Sequence, residues 1–299
     1  IAGAERDMRR EGIVAVADIC NTSDTFEMKE HSPVYFHNFV EIFGTSSNAA
    51  HNIYRNGQNL VHQASHKFSL KASVTPHASY SLGEVLFSLI RDGIGPEDKM
   101  ISVHNQESSS ENDLICNATG ELYDTLLKMG LDMSSNTPRN KNSLHWLLEQ
   151  LPRDKRILMV HNLFTGEKDI LESDAGNADI YWVLCPKSNF YIGGIYPGKY
   201  LMENFPERIC IGTDSLASND KLSILEELFA IQNIYPEIPL QKLLSWSSMN
   251  GARALGIDKW CGSFDEGKTP GVILIENADI INLRLKKESR VKVLVSSTK

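Results

Sequence analysis

The chain has 299 residues, 41% of them hydrophobic, and a formal net charge of −8. This size suffices for one large core or two smaller ones. The acidic balance, without a dense Lys/Arg tract, argues against a nucleic-acid partner. No apolar run approaches the roughly 20 residues that a bilayer span requires, which argues against a membrane protein. Five cysteines without a Cys-x-x-Cys pair indicate reduced thiols and predict a cytoplasmic protein.

Short apolar runs alternate with helix-like segments along most of the chain. Segments such as 81–93, 143–151 and 221–234 repeat apolar residues at intervals of three and four, which is typical of helices. This alternation predicts a parallel sheet with helices packed outside it, one strand short of a closed eight-stranded barrel. The predicted strands are Gly12–Ile19, Val34–Ile42, Phe68–Pro76, Met100–Asn105, Arg156–Asn162, Asp179–Pro186 and Arg208–Asp214.

The pattern changes after Leu255, where turn residues separate short β-type runs and no long helix is predicted. We therefore expect two domains. Residues 1–255 are expected to form a barrel with strands 2–8, and residues 256–299 part of a small β-domain.

Polar side chains close several of the predicted strands. His104 ends the fourth run, His161 the fifth and Asp214 the seventh, while His77 directly follows the third. In a parallel barrel the active site lies at the carboxyl ends of the strands, so one rim would gather all four residues. Such a coincidence favours a functional site.

Each of these motifs also has a structural interpretation when it is taken alone. A histidine followed three residues later by a glutamate, as in His104 and Glu107, fits a metal ligand beside a carboxylate that moves a proton. Taken alone, it more often reflects a buried histidine beside a solvated loop glutamate. Asp214 could form a turn, and His77 could lie in a surface loop.

Five segments carry a family resemblance that spans nearly the whole chain. They are PHASYSLGEVL, VHNQE, LMVHN, LCPKSNFYIG and GTDSLASNDKLSILEEL. Together they resemble the amidohydrolase superfamily, in the branch of adenosine, guanine and aminofutalosine deaminases and triazine chlorohydrolases. The resemblance implies a TIM-like (β/α)8 barrel, here missing its first strand, plus part of a small β-sandwich domain.

The resemblance also implies roles for individual residues. His104, His161 and Asp214 would be metal ligands, with Glu107, Asp214 and His161 catalytic. His77, Ser188 and Asn189 would bind substrate. The implied activity is hydrolytic deamination of an amino-substituted, purine-like heterocycle by a metal-activated water. A chlorohydrolase or an amide hydrolase on the same scaffold remains the alternative.

The implied cofactor is one divalent metal, zinc or iron, and the implied partners are a small heterocyclic substrate and a second copy of the chain. The family's first strand ends in His-x-His, which this sequence does not contain. Two explanations follow: the chain is part of a longer enzyme, or it is a metal-free, non-catalytic relative. The retained His104, Glu107, His161 and Asp214 favour the first.

Overall fold

A computed structural model describes residues 1–133 and 137–298 of the chain. Its strands are β1 (Ala15–Cys20), β2 (Tyr35–Ile42), β3 (Lys71–Pro76), β4 (Met100–Asn105), β5 (Arg156–His161), β6 (Ile180–Leu184), β7 (Ile209–Ile211), β8 (Val272–Glu276) and β9 (Arg290–Val295). The α-helices are α1 (Ala2–Arg10), α2 (Phe26–His31), α3 (Ala50–Lys67), α4 (Glu84–Gly93), α5 (Ser109–Asn117), α6 (Glu121–Lys128), α7 (Ser143–Gln150), α8 (Glu167–Ser173), α9 (Pro186–Gly193), α10 (Tyr200–Asn204), α11 (Ile224–Ile234), α12 (Leu240–Ser247) and α13 (Met249–Ala254).

The described strands form three sheets, with orders β1-β2-β3, β4-β5-β6-β7 and β8-β9. β4 and β5 pair in parallel, from Met100 opposite Arg156 to Asn105 opposite His161. Each of the seven strands predicted from the sequence overlaps one of β1 to β7. The predicted α/β class with parallel strands is therefore confirmed.

The chain divides into two compact units. The first unit comprises Ile1–Ala17, Thr25–His37 and Val183–Lys299, and the second comprises Asp18–Asp24 and Asn38–Trp182. The unit boundaries pass through strands β1, β2 and β6.

The core of the second unit is built from the apolar faces of helices that follow its strands. In α4, Leu86, Phe87 and Ile90 are buried, and in α7 Leu144 and Leu147 are fully buried. Burying such side chains contributes about 1.5–3 kcal/mol each. Asn142 begins α7 as its N-cap, since its side chain accepts the His145 N–H at 2.7 Å.

The core of the first unit centres on α11 and α12, where Leu228, Ile231 and Trp246 are buried. Ser223 caps α11 by accepting the Glu226 N–H. The antiparallel β8–β9 hairpin also belongs to this unit and exposes apolar side chains, including Leu274 and Leu294. Among the described residues, no helix combines the length and apolar character needed to cross a bilayer.

Candidate active site

Three histidines of the second unit lie together where β3, β4 and β5 end. The ring centroids of His77 and His104 are 5.0 Å apart, and those of His104 and His161 are 5.4 Å apart. Parallel pairing places Asn105 opposite His161, so the ends of β4 and β5 share one edge of the sheet. An isolated parallel bridge joins Ala78 to His104. The register of the strands therefore explains why these three histidines cluster at the ends of β3, β4 and β5.

Hydrogen bonds hold the rings of His77 and His104, and one of these bonds identifies the protonated nitrogen of His104. His104 Nδ1 lies 2.9 Å from the His77 carbonyl oxygen, which can only accept, so Nδ1 is protonated. His77 Nδ1 lies 2.8 Å from Ser81 Oγ. Ser81 Oγ also lies 3.2 Å from the Ala78 carbonyl oxygen. With its proton on Nδ1, a neutral His104 ring keeps a lone pair on Nε2 that can bind a cation.

Glu41, at the end of β2, joins the histidines. Its carboxylate oxygen lies 3.5 Å from His104 Nδ1, and Asn21 Nδ2 donates to the carboxylate at 3.2 Å. Ligand atoms of Glu41, His77 and His104 all lie within 4.8 Å of one another. Imidazole nitrogens with a carboxylate oxygen are donors that zinc accepts. The residues present therefore fit a divalent metal.

Glu41 was missed by the sequence analysis. Its signal was a lone carboxylate near the end of the buried apolar run VYFHNFVEI. A charged side chain at such a position requires a partner or a function.

Glu107 faces His161 in the second unit. Glu107 Oε1 lies 3.5 Å from His161 Nε2, and the His161 side chain is only 2% exposed whereas that of Glu107 is 29% exposed. A buried imidazole is suited to hold a proton, and an accessible carboxylate is suited to exchange one. The backbone is strained at the same place, because His161 and Asn162 adopt φ values of +75° and +59°. Such conformations are uncommon for residues other than glycine and concentrate at functional sites.

Burial also sets the protonation of the cluster. Desolvation lowers the pKa of His77, while the nearby Glu41 carboxylate opposes this effect and His104 adds to it. His77 is therefore neutral at neutral pH. Burial, together with the carboxylates of Glu111, Glu107 and Glu41, raises the pKa of the Tyr80 hydroxyl, which stays protonated.

The remaining predicted site residues belong to the first unit. Asp214 has a φ of +57°. Its Oδ2 accepts hydrogen bonds from the hydroxyls of Ser188 and Ser218, both at 2.7 Å, and its Oδ1 accepts the Ser215 N–H at 2.7 Å. Asn189 is buried beside Ser188 in α9. Within this unit the structure thus brings Asp214 and Ser188 into direct contact.

A buried carboxylate holds the Asp214 loop. Glu227 of α11 accepts the Lys187 N–H at 2.9 Å and a hydrogen bond from Asn219 Nδ2 at 2.7 Å. Asn219 Nδ2 also donates to the carbonyl of Thr213, the residue before Asp214. Burial raises the pKa of Glu227 to about 7, against the lowering effect of these donors.

A sequence model of the Amidohydrolase family matches residues 6–297, so the chain belongs to this family. It is 25% identical over 271 residues to the aminodeoxyfutalosine deaminase of a Nitratiruptor species. That alignment covers 89% of this chain and 64% of the relative, so the chain spans less than two thirds of that protein. Members of the family use a divalent metal.

Solved structures share the fold. Helicobacter pylori aminofutalosine deaminase, in complex with methylthio-coformycin, superposes with a TM-score of 0.77 at 21% identity, covering 90% of this chain and 66% of that one. Atrazine chlorohydrolase from Arthrobacter aurescens, complexed with zinc, gives 0.72 at 14% identity, covering 99% and 71%. The predicted superfamily resemblance is confirmed.

Proposed function

We propose that the protein is a metal-dependent hydrolase that deaminates an adenine-like nucleoside or a related amino-substituted heterocycle. The observation that carries this proposal is the pairing of Glu107 with His161 beside the Glu41, His77 and His104 cluster. Deaminases among the similar proteins support the same reaction class.

Several residues of this chain are suited to hold the metal, with zinc preferred and iron as the alternative. His104, His161 and Asp214 would be ligands, and Glu41 and His77 are further donors beside His104. When bound, a divalent cation supplies Lewis acidity and lowers the pKa of a water that it contacts.

The side chains have distinct tasks in the proposed reaction. Glu107 gives a proton to the ring nitrogen of the substrate, regains the proton that Asp214 takes from the attacking water, and delivers it to the departing amine. Its partly exposed carboxylate allows this exchange. Asp214 takes the proton of the attacking water, and the three hydrogen bonds to its carboxylate fix its orientation. His161 either ligates the metal or holds the attacking oxygen by a hydrogen bond. His77, Ser188 and Asn189 orient the heterocycle.

The proposal extends to architecture. Strands β1 to β7 would correspond to strands 2–8 of a (β/α)8 barrel within residues 1–255, and residues 256–299 to part of a small β-sandwich domain. The exposed apolar side chains of the β8–β9 hairpin support an additional packing partner there. We also propose that the enzyme is a homodimer.

Ammonia release by the full-length, zinc-loaded protein tests the function. The panel comprises adenosine, 5-methylthioadenosine, aminodeoxyfutalosine and guanine, with Glu107→Gln as the inactive control. Release of ammonia from at least one substrate is expected. Turnover of none would overturn the proposal.

A chlorohydrolase is the second candidate, because the atrazine chlorohydrolase structure superposes over 99% of this chain. Chloride release from atrazine, without ammonia release from the nucleosides, would favour it. Failure of the full-length protein to retain a metal after reconstitution would instead favour a non-catalytic relative.

A further inference from the structure

Glu111 is a buried carboxylate that the proposed mechanism does not use. It lies in the first turn of α5 and is only 1% exposed. Burial raises its pKa, whereas hydrogen bonds from Ser143, Ser79 and the backbone of Gln106 and Glu107 lower it. A buried carboxylate is costly to the fold unless its oxygens are satisfied. The burial of the Glu111 carboxylate therefore requires a structural or functional reason.

The Glu111 carboxylate joins three separate segments of the second unit. Ser79, in the loop after His77, donates its hydroxyl to Oε1 at 2.9 Å. Ser143, the first residue of α7, donates to the same oxygen, and its Oγ lies 2.8 Å from Ser79 Oγ. The Glu107 N–H donates to Oε2 at 3.2 Å. One side chain thus fixes the loop that carries His77 and the turn that carries Glu107.

The backbone explains why a carboxylate is suited to this position. Gln106 adopts a φ of +47°, a left-handed conformation that is unfavourable for glutamine. A left-handed residue turns successive backbone N–H groups toward one point, which forms a concavity that binds anions. Glu111 supplies the acceptor oxygen there, since its Oε2 accepts the Glu107 N–H, and so stabilises a turn that the local sequence does not favour.

The side chains around the turn are secured as well. Gln106 Nε2 donates to Asn112 Oδ1 at 3.1 Å, and the Ser143 N–H donates to the same oxygen at 3.0 Å. The Thr165 hydroxyl donates to Gln106 Oε1. Gln106 is therefore held by both its side chain and its backbone, and Glu107 is left as the residue whose side chain reaches His161.

We propose that Glu111 is a positioning residue that holds the left-handed Gln106–Glu107 turn, and thereby aims the Glu107 carboxylate at His161. The catalytic part of this inference rests on the proposed function, because it assigns Glu107 the proton transfer. The structural part, the restraint of the turn, does not.

Amide hydrogen exchange of the full-length, zinc-loaded protein tests the restraint without any substrate. Glu111→Met removes the acceptor and keeps a similar volume. We expect at least a tenfold faster exchange of the Gln106 and Glu107 amides, with α7 protection unchanged. Glu111→Gln can offer its carbonyl to the Glu107 N–H, so it should restore part of the protection. If Glu111→Met fails to fold, Glu111→Ala, which also removes the acceptor, replaces it. Unchanged exchange at both amides in a folded Glu111→Met or Glu111→Ala variant would overturn the proposal.

Kinetics test the connection to Glu107. Glu111→Met should lower kcat by 10- to 100-fold with little change in KM, and Glu111→Gln should recover part of the loss. In the Glu107→Ala background, Glu111→Met should have no further effect on kcat, because residues that act through one another are not additive. Glu121→Met, an exposed glutamate in the first turn of α6, is the matched control and should leave kcat unchanged.

The possible results separate the two hypotheses. An equal loss of kcat with and without Glu107 would show a general structural role and overturn the positioning proposal. If the wild-type protein turns over no substrate, the proposed function fails. The exchange experiment then still decides whether Glu111 restrains the turn.

Discussion

Glu227 should make the stability of the protein depend on pH. Its side chain is fully buried in α11, and burial raises its pKa from 4.5 to about 7. The folded protein therefore binds this proton more tightly than the unfolded chain does. The stabilisation of the folded protein by protonated Glu227 is complete below about pH 4.5. It is lost as the pH rises through about 7.

The size of the effect follows from the shift. A pKa difference between 4.5 and about 7 corresponds to about 3 kcal/mol of unfolding free energy. Glu227→Gln removes the titration, so the difference in stability between wild type and variant should change by this amount between pH 4 and pH 8. Any cost of placing an amide against the Lys187 and Asn219 donors is independent of pH and leaves this change unaffected.

Urea denaturation across this pH range measures the effect. Leu225→Ala is the control, because it removes buried apolar volume from the same helix and costs about 2–5 kcal/mol at every pH. Its difference from wild type should stay constant with pH. Equal pH dependence of wild type and Glu227→Gln would refute the reasoning.

Three further changes have defined outcomes. Glu107→Gln should lower kcat for ammonia release by about 10²–10⁴-fold, the usual contribution of a general acid–base, while Glu84→Gln, on the exposed end of α4, should not. His104→Ala should weaken zinc retention by at least tenfold, measured by competition with a chelator; unchanged retention would contradict its role as a ligand. Gly83→Ala would place a Cβ 2.5 Å from the Thr45 carbonyl oxygen, so it should lower the midpoint of urea unfolding; a wild-type midpoint would contradict the close contact.

Much of the fold could be predicted from the sequence, because hydrophobic periodicity and strand-helix alternation indicate the same elements along this chain. β4 was predicted with its observed bounds, Met100–Asn105. The helix-like segment 143–151 corresponds to α7, Ser143–Gln150. Tyr181 and Trp182, which lie in the predicted sixth strand, are 6% and 1% exposed. β7 ends at Ile211 rather than at the predicted Asp214, because Gly212 interrupts the apolar run.

The candidate site could be predicted only in part from the sequence. His104 and His161 could be placed at neighbouring strand ends because parallel strands share their carboxyl edge. The contribution of Glu41 could not be read in the same way, because it depends on the close approach of β2 to His104, a contact distant in sequence. The assignments of catalytic and ligand roles stay predictions until the variants are measured.

Glu111 and Glu227 share one structural feature: each lies in the first turn of the helix that follows a strand, and each anchors the loop between that strand and helix. Each loop is thus anchored by a glutamate that belongs to the same strand-loop-helix segment. Exchanging such a segment as a whole, from strand to first helical turn, should transfer a pre-formed loop between related enzymes. Exchanging the loop alone would leave its anchor behind. Specificity engineering in this protein therefore has natural cut points inside α5 and α11, beyond these glutamates.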